Sequence, residues 1–208
     1  MSMDRRDFLR TAAVGTVAGV SLLAGCTAQA ASGEAGDGKM DAIDIALAKI
    51  AVRDKICEYS ISMDLCNAEV GYNCFTVDSH LDYGPTYQGD GKGFVDMCCK
   101  QHFNLTATNH WMPMTYVVID SETEAHSITW GGNFCATLPA EDGSQTQSAS
   151  WCRYYDKWRK EADGQWRIYY REVGYEIFNS FPVVNDYPIS PGTRDANDIH
   201  YKYFPEQL

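Results

Sequence analysis

The stretch RYYDKWRKEADGQWRI, Arg153 to Ile168, decides the fold. Its centre, Ala162 to Trp166, contains Asp-Gly, a dipeptide that tight hairpin turns favour because it tolerates positive φ. On either side lie runs rich in aromatic and other strand-forming residues, Ser148 to Lys160 and Arg167 to Phe178. The stretch therefore predicts two long antiparallel strands joined by a tight turn.

Upstream of this hairpin, apolar residues alternate with a period of two from His110 onward, within TNHWMPMTYVVID (Thr108 to Asp120). Ala125 to Thr137 is a further strand candidate. Pro113 has no N–H to donate, so it fits an edge strand or a bulge. The second half of the chain is thus predicted to be a meander of long strands.

The first half of the chain has helical spacing. Asp41 to Asp64 carries apolar stripes with this spacing, and Asp41 is a plausible N-cap. Shorter helices are predicted over Asn67 to Phe75 and Gly91 to Leu105, with a short strand and a Gly-Pro turn within Val77 to Gly89. Helices followed by a strand meander predict an α+β domain, in which a curved, mostly antiparallel sheet packs on three helices.

The N-terminus indicates export. Arg5-Arg6 followed by Phe8-Leu9 matches a twin-arginine signal, and the apolar run after it is too short for a stable membrane span. It ends at Leu23-Ala24-Gly25-Cys26, which resembles a lipoprotein lipobox with Cys26 as the lipidated residue. An ordinary cleaved signal with a chance cysteine is the alternative. The domains predicted are a signal peptide (1–25), a flexible tether (26–39), a folded domain (40–181) and an irregular tail (182–208). The protein is then expected in the periplasm or lipid-anchored at the outer face of the cell membrane.

Charge argues against nucleic acid as a partner. The chain carries a formal charge of −11, and residues 1–25 contribute +1, so the remainder carries −12. Such an acidic chain is repelled by nucleic acid and by anionic lipid surfaces. Membrane contact should therefore come from the lipid alone.

The cysteines do not form a metal motif. Seven remain when Cys26 is set aside, and none of them has CxxC spacing. Small buried side chains are the favoured interpretation, and a disulfide among Cys57, Cys66 and Cys74 stays open. Because no HxxxH, HxH or cysteine–histidine cluster is present either, no metal and no cofactor are predicted.

The motif order resembles the SnoaL-like branch of the nuclear-transport-factor-2-like superfamily, over roughly residues 44–180. The motifs are YxxxxD (Tyr59, Asp64), FxxD (Phe75, Asp78), NHW (Asn109 to Trp111) and RYxDxxxxxxDGxW (Arg153 to Trp166). The resemblance implies a cone of curved sheet, a cystatin-like α+β barrel, closed by helices around a deep pocket. Members include scytalone dehydratase and bile-acid 7α-dehydratase, and many have no known activity, so fold alone does not fix function.

The resemblance also implies site residues. Asp64 and His110 match an aspartate–histidine pair in which the acid orients the imidazole and the imidazole moves a proton. Tyr59 matches a tyrosine five residues before that aspartate, and Tyr83 resembles one that polarises a carbonyl. The substrate-binding residues predicted are Trp111, Met114, Arg153 and Tyr154.

Each assignment has an alternative. Asp64 could cap the next helix or end the first one, and His110, Tyr59 and Tyr83 could be plain core residues. Arg153 could face the pocket or lie outside the sheet. Three features depart from the family pattern: a second catalytic histidine has no convincing counterpart, Arg171 is only the nearest match to an arginine near the last strand, and Pro113 follows soon after the histidine. His80, His102, His126 and His200 are interpreted as solvated or packed.

Two functions of different classes remain open. One is a cofactor-independent dehydratase or isomerase acting on a hydrophobic carbonyl compound such as a steroid, bile acid, polyketide or aromatic. The other is a lipoprotein that binds an apolar ligand or docks a partner without chemistry. The enzyme requires Asp64 within hydrogen-bonding distance of His110, with both facing one cavity. A homo-oligomer is expected in either case.

Overall fold

The computed structural model describes residues 40–184 and 192–207. The elements are α1 (Ala42–Leu65), α2 (Ala68–Tyr72), β1 (Phe75–Asp82), β2 (Gln88–Gly89), α3 (Gly91–His102), β3 (Leu105–Ile119), β4 (Glu124–Thr137), β5 (Thr146–Lys160), β6 (Trp166–Pro182), α4 (Ile199–Tyr203) and one 3-10 turn (Pro205–Gln207). The predicted signal peptide, the tether and Cys26 lie outside the described residues, so those assignments stay predictions.

Six strands of the described residues form one sheet in the order β2-β1-β6-β5-β4-β3. Every neighbouring pair is antiparallel except β1 and β6, which are parallel. The predicted α+β class with a curved, mostly antiparallel sheet is confirmed. The sheet curls but does not close into a barrel, because β2 and β3 remain as edges.

Helix α1 begins where the sequence predicts. The Asp41 carboxylate accepts hydrogen bonds from the backbone N–H groups of Ile43 and Asp44, both at 2.8 Å, and so caps the helix. Its two apolar stripes lie about 180° apart at 100° per residue, so only one can face the sheet. The stripe of Val52, Ile56, Tyr59 and Met63 is buried, whereas Ile43, Leu47 and Ile50 are exposed.

Strand β3 differs from its prediction in a way that matters for the site. It begins at Leu105, so His110 lies inside the strand and not at its mouth. A bulge between Trp111 and Met114, at Pro113, interrupts the register with β4. The bulge reverses the inward–outward alternation, so that even-numbered residues face inward before it and odd-numbered residues after it.

The C-terminal segment is more regular than expected. Residues 199–203 form a short helix where the sequence predicts irregular structure, because the Asp198 carboxylate caps it by accepting from the His200 backbone N–H at 2.9 Å. Asn67 donates to the Tyr201 hydroxyl at 3.2 Å, which ties this segment to the helical end of the domain.

Candidate active site

Asp64 and His110 form a tightly bonded pair. Asp64 is the penultimate residue of α1, which ends as Cys66 turns into the left-handed conformation with φ 53°. The carboxylate lies 2.7 Å from His110 Nδ1 and also accepts from the His110 backbone N–H at 3.0 and 2.9 Å. Since a carboxylate only accepts, Nδ1 carries the proton and Nε2 is left as the basic nitrogen.

This geometry removes one of the simpler interpretations, that Asp64 caps the next helix. The cap of α2 is Asn67 and not Asp64. The His110 side chain is 5% exposed and that of Asp64 22% exposed, so the pair is shielded but not sealed. The predicted hydrogen bond between the acid and the imidazole is present.

A second histidine–aspartate pair lies elsewhere on the sheet. His126 Nδ1 is 2.8 Å from Asp120 Oδ2, with side chains 56% and 44% exposed. It has nearly the same bond length as the buried pair, but about half of each side chain is exposed to solvent, where proton transfer gains little from the protein. This exposed pair therefore offers a matched control for the buried one.

His102 is a site residue that the sequence interpretation missed. It is buried in the last turn of α3, its Nδ1 lies 3.0 Å from the Met63 carbonyl, and its ring centroid is 5.5 Å from that of His110. The bond fixes the residue that precedes Asp64. The spacing of Phe94, Cys98 and His102 at i, i+4 and i+8 was the available signal that His102 faces inward.

The stability of the protein should fall in mild acid because of His102. Burial lowers its pKa most, the His110 imidazole and Arg194 lower it further, and the Met63 carbonyl and Asp64 partly oppose this. The unfolded chain therefore takes up a proton below about pH 6.5 that the folded state resists, and stability present above that pH is lost as the pH falls toward the folded pKa. His102→Asn keeps a donor for Met63 but cannot titrate.

Urea midpoints of the wild type and the His102→Asn variant at pH 7.5 and 5.5 measure this effect. The variant should lose less stability between the two pH values. An equal loss in both proteins would assign the acid sensitivity to other groups.

A buried polar network lies beside the pair on the inner face of the sheet. Arg171 donates to Asp156 at 2.6 and 2.9 Å, and its third nitrogen donates to the Tyr83 hydroxyl at 3.3 Å. The Tyr83 hydroxyl is in turn 3.3 Å from that of Tyr59. The guanidinium lies 4.5 Å from the ring centroid of Tyr59 and 4.8 Å from that of Tyr154.

This network places three of the predicted residues. Tyr59, Tyr83 and Tyr154 are all buried on the inner side, and burial raises the pKa of each phenol. They therefore stay neutral hydrogen-bonding groups. The Tyr59 ring meets His110 edge-on at 6.1 Å between centroids, which joins the network to the acid–histidine pair.

Three of the predicted substrate-binding residues do not line the interior. Trp111 and Met114 are exposed on the outer face, because they lie on either side of the bulge that reverses the alternation. Met114 lines a surface groove of about 530 Å³ between α1 and β3. Arg153 is also on the outer face, where it pairs with Glu176 at 2.5 Å, so the open question about its direction is answered.

The cysteines are single thiols. All seven within the described residues are free, and only Cys57 is exposed, so the disulfide left open among Cys57, Cys66 and Cys74 is not formed. Within residues 40–184 and 192–207, no cluster of three or more histidine, cysteine or acidic side chains could hold a metal ion. In the same ranges no helix is long and apolar enough to cross a membrane.

The family model of the SnoaL-like domain matches residues 44–172, which is more than half of the chain. The chain belongs to the SnoaL-like family. A search of the curated proteins finds no match to this SnoaL-like chain.

Solved structures similar to this SnoaL-like protein share its fold at low sequence identity. A Novosphingobium aromaticivorans protein, assigned by inference as a scytalone dehydratase, is 19% identical with a TM-score of 0.57 over 72% of this chain and 94% of its own. Hexachlorocyclohexane dehydrochlorinase LinA type 2 is 13% identical with a TM-score of 0.58, over 73% and 99%. LinA-type3 from Novosphingobium barchaimii is 14% identical with a TM-score of 0.56, over 73% and 100%. At these identities the similarity shows the fold alone.

Proposed function

We propose that this SnoaL-like protein is a cofactor-independent lyase or isomerase that moves a proton to or from carbon in a hydrophobic, carbonyl-containing small molecule. Dehydration of a steroid, bile acid, polyketide or aromatic compound fits this chemistry. The observation that supports the proposal is the 2.7 Å bond between Asp64 and the Nδ1 of a His110 that is only 5% exposed. Structural neighbours named for dehydration and dehydrochlorination agree with it.

The proposed step is a proton transfer at His110 Nε2. The imidazole removes a proton from the carbon next to the carbonyl, and the Asp64 carboxylate stabilises the imidazolium that forms. In a dehydration the same imidazolium then returns the proton to the departing hydroxyl, which leaves as water. A positioned general base of this kind contributes about 10²–10⁴-fold in rate.

The tyrosines have a supporting role in this proposal. The resemblance implies that Tyr59 or Tyr83 touches the enolate, but their hydroxyls bond to each other and to Arg171 within the core. That arrangement holds the Tyr59 ring against the edge of His110. The geometry therefore favours positioning of the base by these phenols over direct contact with a substrate.

A substrate-independent test of the proton transfer uses 5-nitrobenzisoxazole. A base removes its C3 proton, the N–O bond breaks, and a nitrile and a coloured phenolate form. The native protein should catalyse this ring opening with saturation and well above the rate of the same chain unfolded in urea, which carries the same five histidines. Equal rates for the native and unfolded chains would favour the alternative of a non-catalytic binding or docking lipoprotein.

The proposal includes a lipid anchor at Cys26 and export by the twin-arginine route. It rests on the Arg5-Arg6 and Leu23-to-Cys26 motifs. When both proteins are expressed in a bacterial host, labelled fatty acid should be incorporated covalently into the wild type and not into the Cys26→Ser variant.

We also propose that the protein is a homo-oligomer. The outer face of the sheet carries a set of exposed large apolar side chains: Trp111, Met114, Tyr116, Trp130 and Tyr155. Contiguous apolar patches larger than a few hundred Å² are rare on monomers and mark interaction sites. Light scattering that gives the monomer mass at micromolar concentration would contradict this proposal.

A further inference from the structure

Proton abstraction next to a carbonyl builds negative charge on oxygen, and a site of this kind needs a hydrogen-bond donor there. The phenols that the resemblance implies for this role share one hydroxyl–hydroxyl bond, and Tyr83 accepts from Arg171, so one phenol O–H is left to donate, from a ring buried in the core. A further donor can come from the strand that pairs with the His110 segment.

Asn133 lies in the right place. It is the Cα partner of His110 across β3 and β4. The His110 N–H points to Asp64 and not to β4, so the two residues form a pair without mutual backbone hydrogen bonds, the closer type, with Cα atoms about 4.5 Å apart. The alternation of β4, with Ser127 and Thr129 buried and Trp130 exposed, puts Asn133 on the inner face.

The amide of Asn133 is held with its donors free. Its Oδ1 accepts from the Cys135 thiol at 3.0 Å, which leaves the NH₂ group on the other side of the amide. Within the described residues Nδ2 bonds to no protein atom, and it is not enclosed. The residue paired with His110 across β3 and β4, on the same face of the sheet, thus carries an amide with two unused N–H donors.

Other neutral hydrogen-bonding side chains lie near Asn133. Ser150 is the partner of Asn133 on the next strand, so His110, Asn133 and Ser150 form one row across three strands. In the neighbouring row, the Thr108 hydroxyl is buried without a partner. These neutral hydroxyl and amide groups suit the oxygen of a carbonyl compound.

We propose that Asn133 is a catalytic residue whose side-chain amide binds the substrate oxygen on which charge develops when His110 takes the proton. This inference rests on the proposed function. It names the substrate class more closely: a molecule whose carbonyl or leaving oxygen lies on the β4 side of the proton that His110 removes.

The ring opening of 5-nitrobenzisoxazole tests the proposal, because the phenolate oxygen gains charge as the proton leaves. Asn133→Ala should lower kcat by about 10²-fold, the usual cost of losing one such donor, without moving the pH profile set by the base. The matched control is Asn109→Ala, which removes an exposed amide next to His110 on the opposite face and should act like the wild type. A loss below twofold in Asn133→Ala would overturn the proposal.

A binding measurement separates this inference from the proposed function, since it requires no turnover. The product 2-cyano-4-nitrophenolate carries the oxygen anion, and 4-nitrobenzonitrile lacks it. Asn133→Ala should weaken binding of the phenolate at least tenfold and leave that of the nitrobenzonitrile unchanged. Equal weakening of both would show that Asn133 acts through shape alone. Should the alanine variant fail to fold, Cys135→Ala, which frees the amide to rotate, should weaken phenolate binding selectively, and no selective loss would contradict the proposal.

Discussion

Replacing His110 with alanine should lower the rate of 5-nitrobenzisoxazole opening by about 10²–10⁴-fold, the range for loss of a general base. The expected size follows from the geometry. Nδ1 is tied to Asp64 at 2.7 Å and the ring is held between Tyr59 and His102, so Nε2 is the basic nitrogen on a fixed imidazole. The measurement is kcat/KM by absorbance of the released phenolate.

The matched control is His126→Ala. His126 has the same partner type at nearly the same distance, 2.8 Å, but lies on the exposed surface. It should retain the wild-type rate. If both variants lose activity alike, or neither does, catalysis does not depend on the buried pair and His110 is a structural residue.

Replacing Asp156 with alanine should destabilise the fold by about 3–5 kcal/mol, the cost of removing one partner of a buried ion pair. The Asp156 and Arg171 side chains are 0% and 1% exposed, and they share two short hydrogen bonds. Without the carboxylate, Arg171 keeps its charge in the core with only the Tyr83 hydroxyl as a polar partner. Equilibrium unfolding in urea measures the change in the free energy of unfolding.

Two further variants make this prediction specific. Glu176→Ala breaks the half-exposed pair with Arg153 on the outer face and should cost about 0–1 kcal/mol. The double replacement of Asp156 by Leu and Arg171 by Met removes both charges and should recover most of the lost stability. If the Asp156→Ala variant is as stable as the wild type, water must reach Arg171 in the folded protein.

The sequence predicts much of the fold because its signals are local. The Asp41 cap, the Asp-Gly turn and the proline at position 113 each act through their own backbone, and the structure has a helix start, a hairpin and a bulge there. The acid–histidine pair was found through family resemblance. Sequence spacing alone does not bring Asp64 and His110 together, since they lie on different elements.

The features that the sequence could not predict depend on the register between β3 and β4 and on how α3 packs against them. The bulge in β3 changes which residues face inward, and this puts Met114 on the outer face, whereas Trp111 faces outward because it alternates with His110. The contact of His102 with His110, and the pairing of His110 with Asn133, follow from how α3 and β4 are placed against β3. Neither is encoded in the spacing of residues along one element.

Strand β3, which carries His110, is at the edge of the sheet, where outward-pointing backbone N–H groups have no neighbouring strand to accept them. Asp64 accepts the N–H of His110 in place of such a strand. One carboxylate thus accepts the backbone N–H of the edge strand and also accepts from Nδ1 of the His110 imidazole. A substitution of this acid would therefore remove the partner of the imidazole and the acceptor of an edge-strand N–H at the same time.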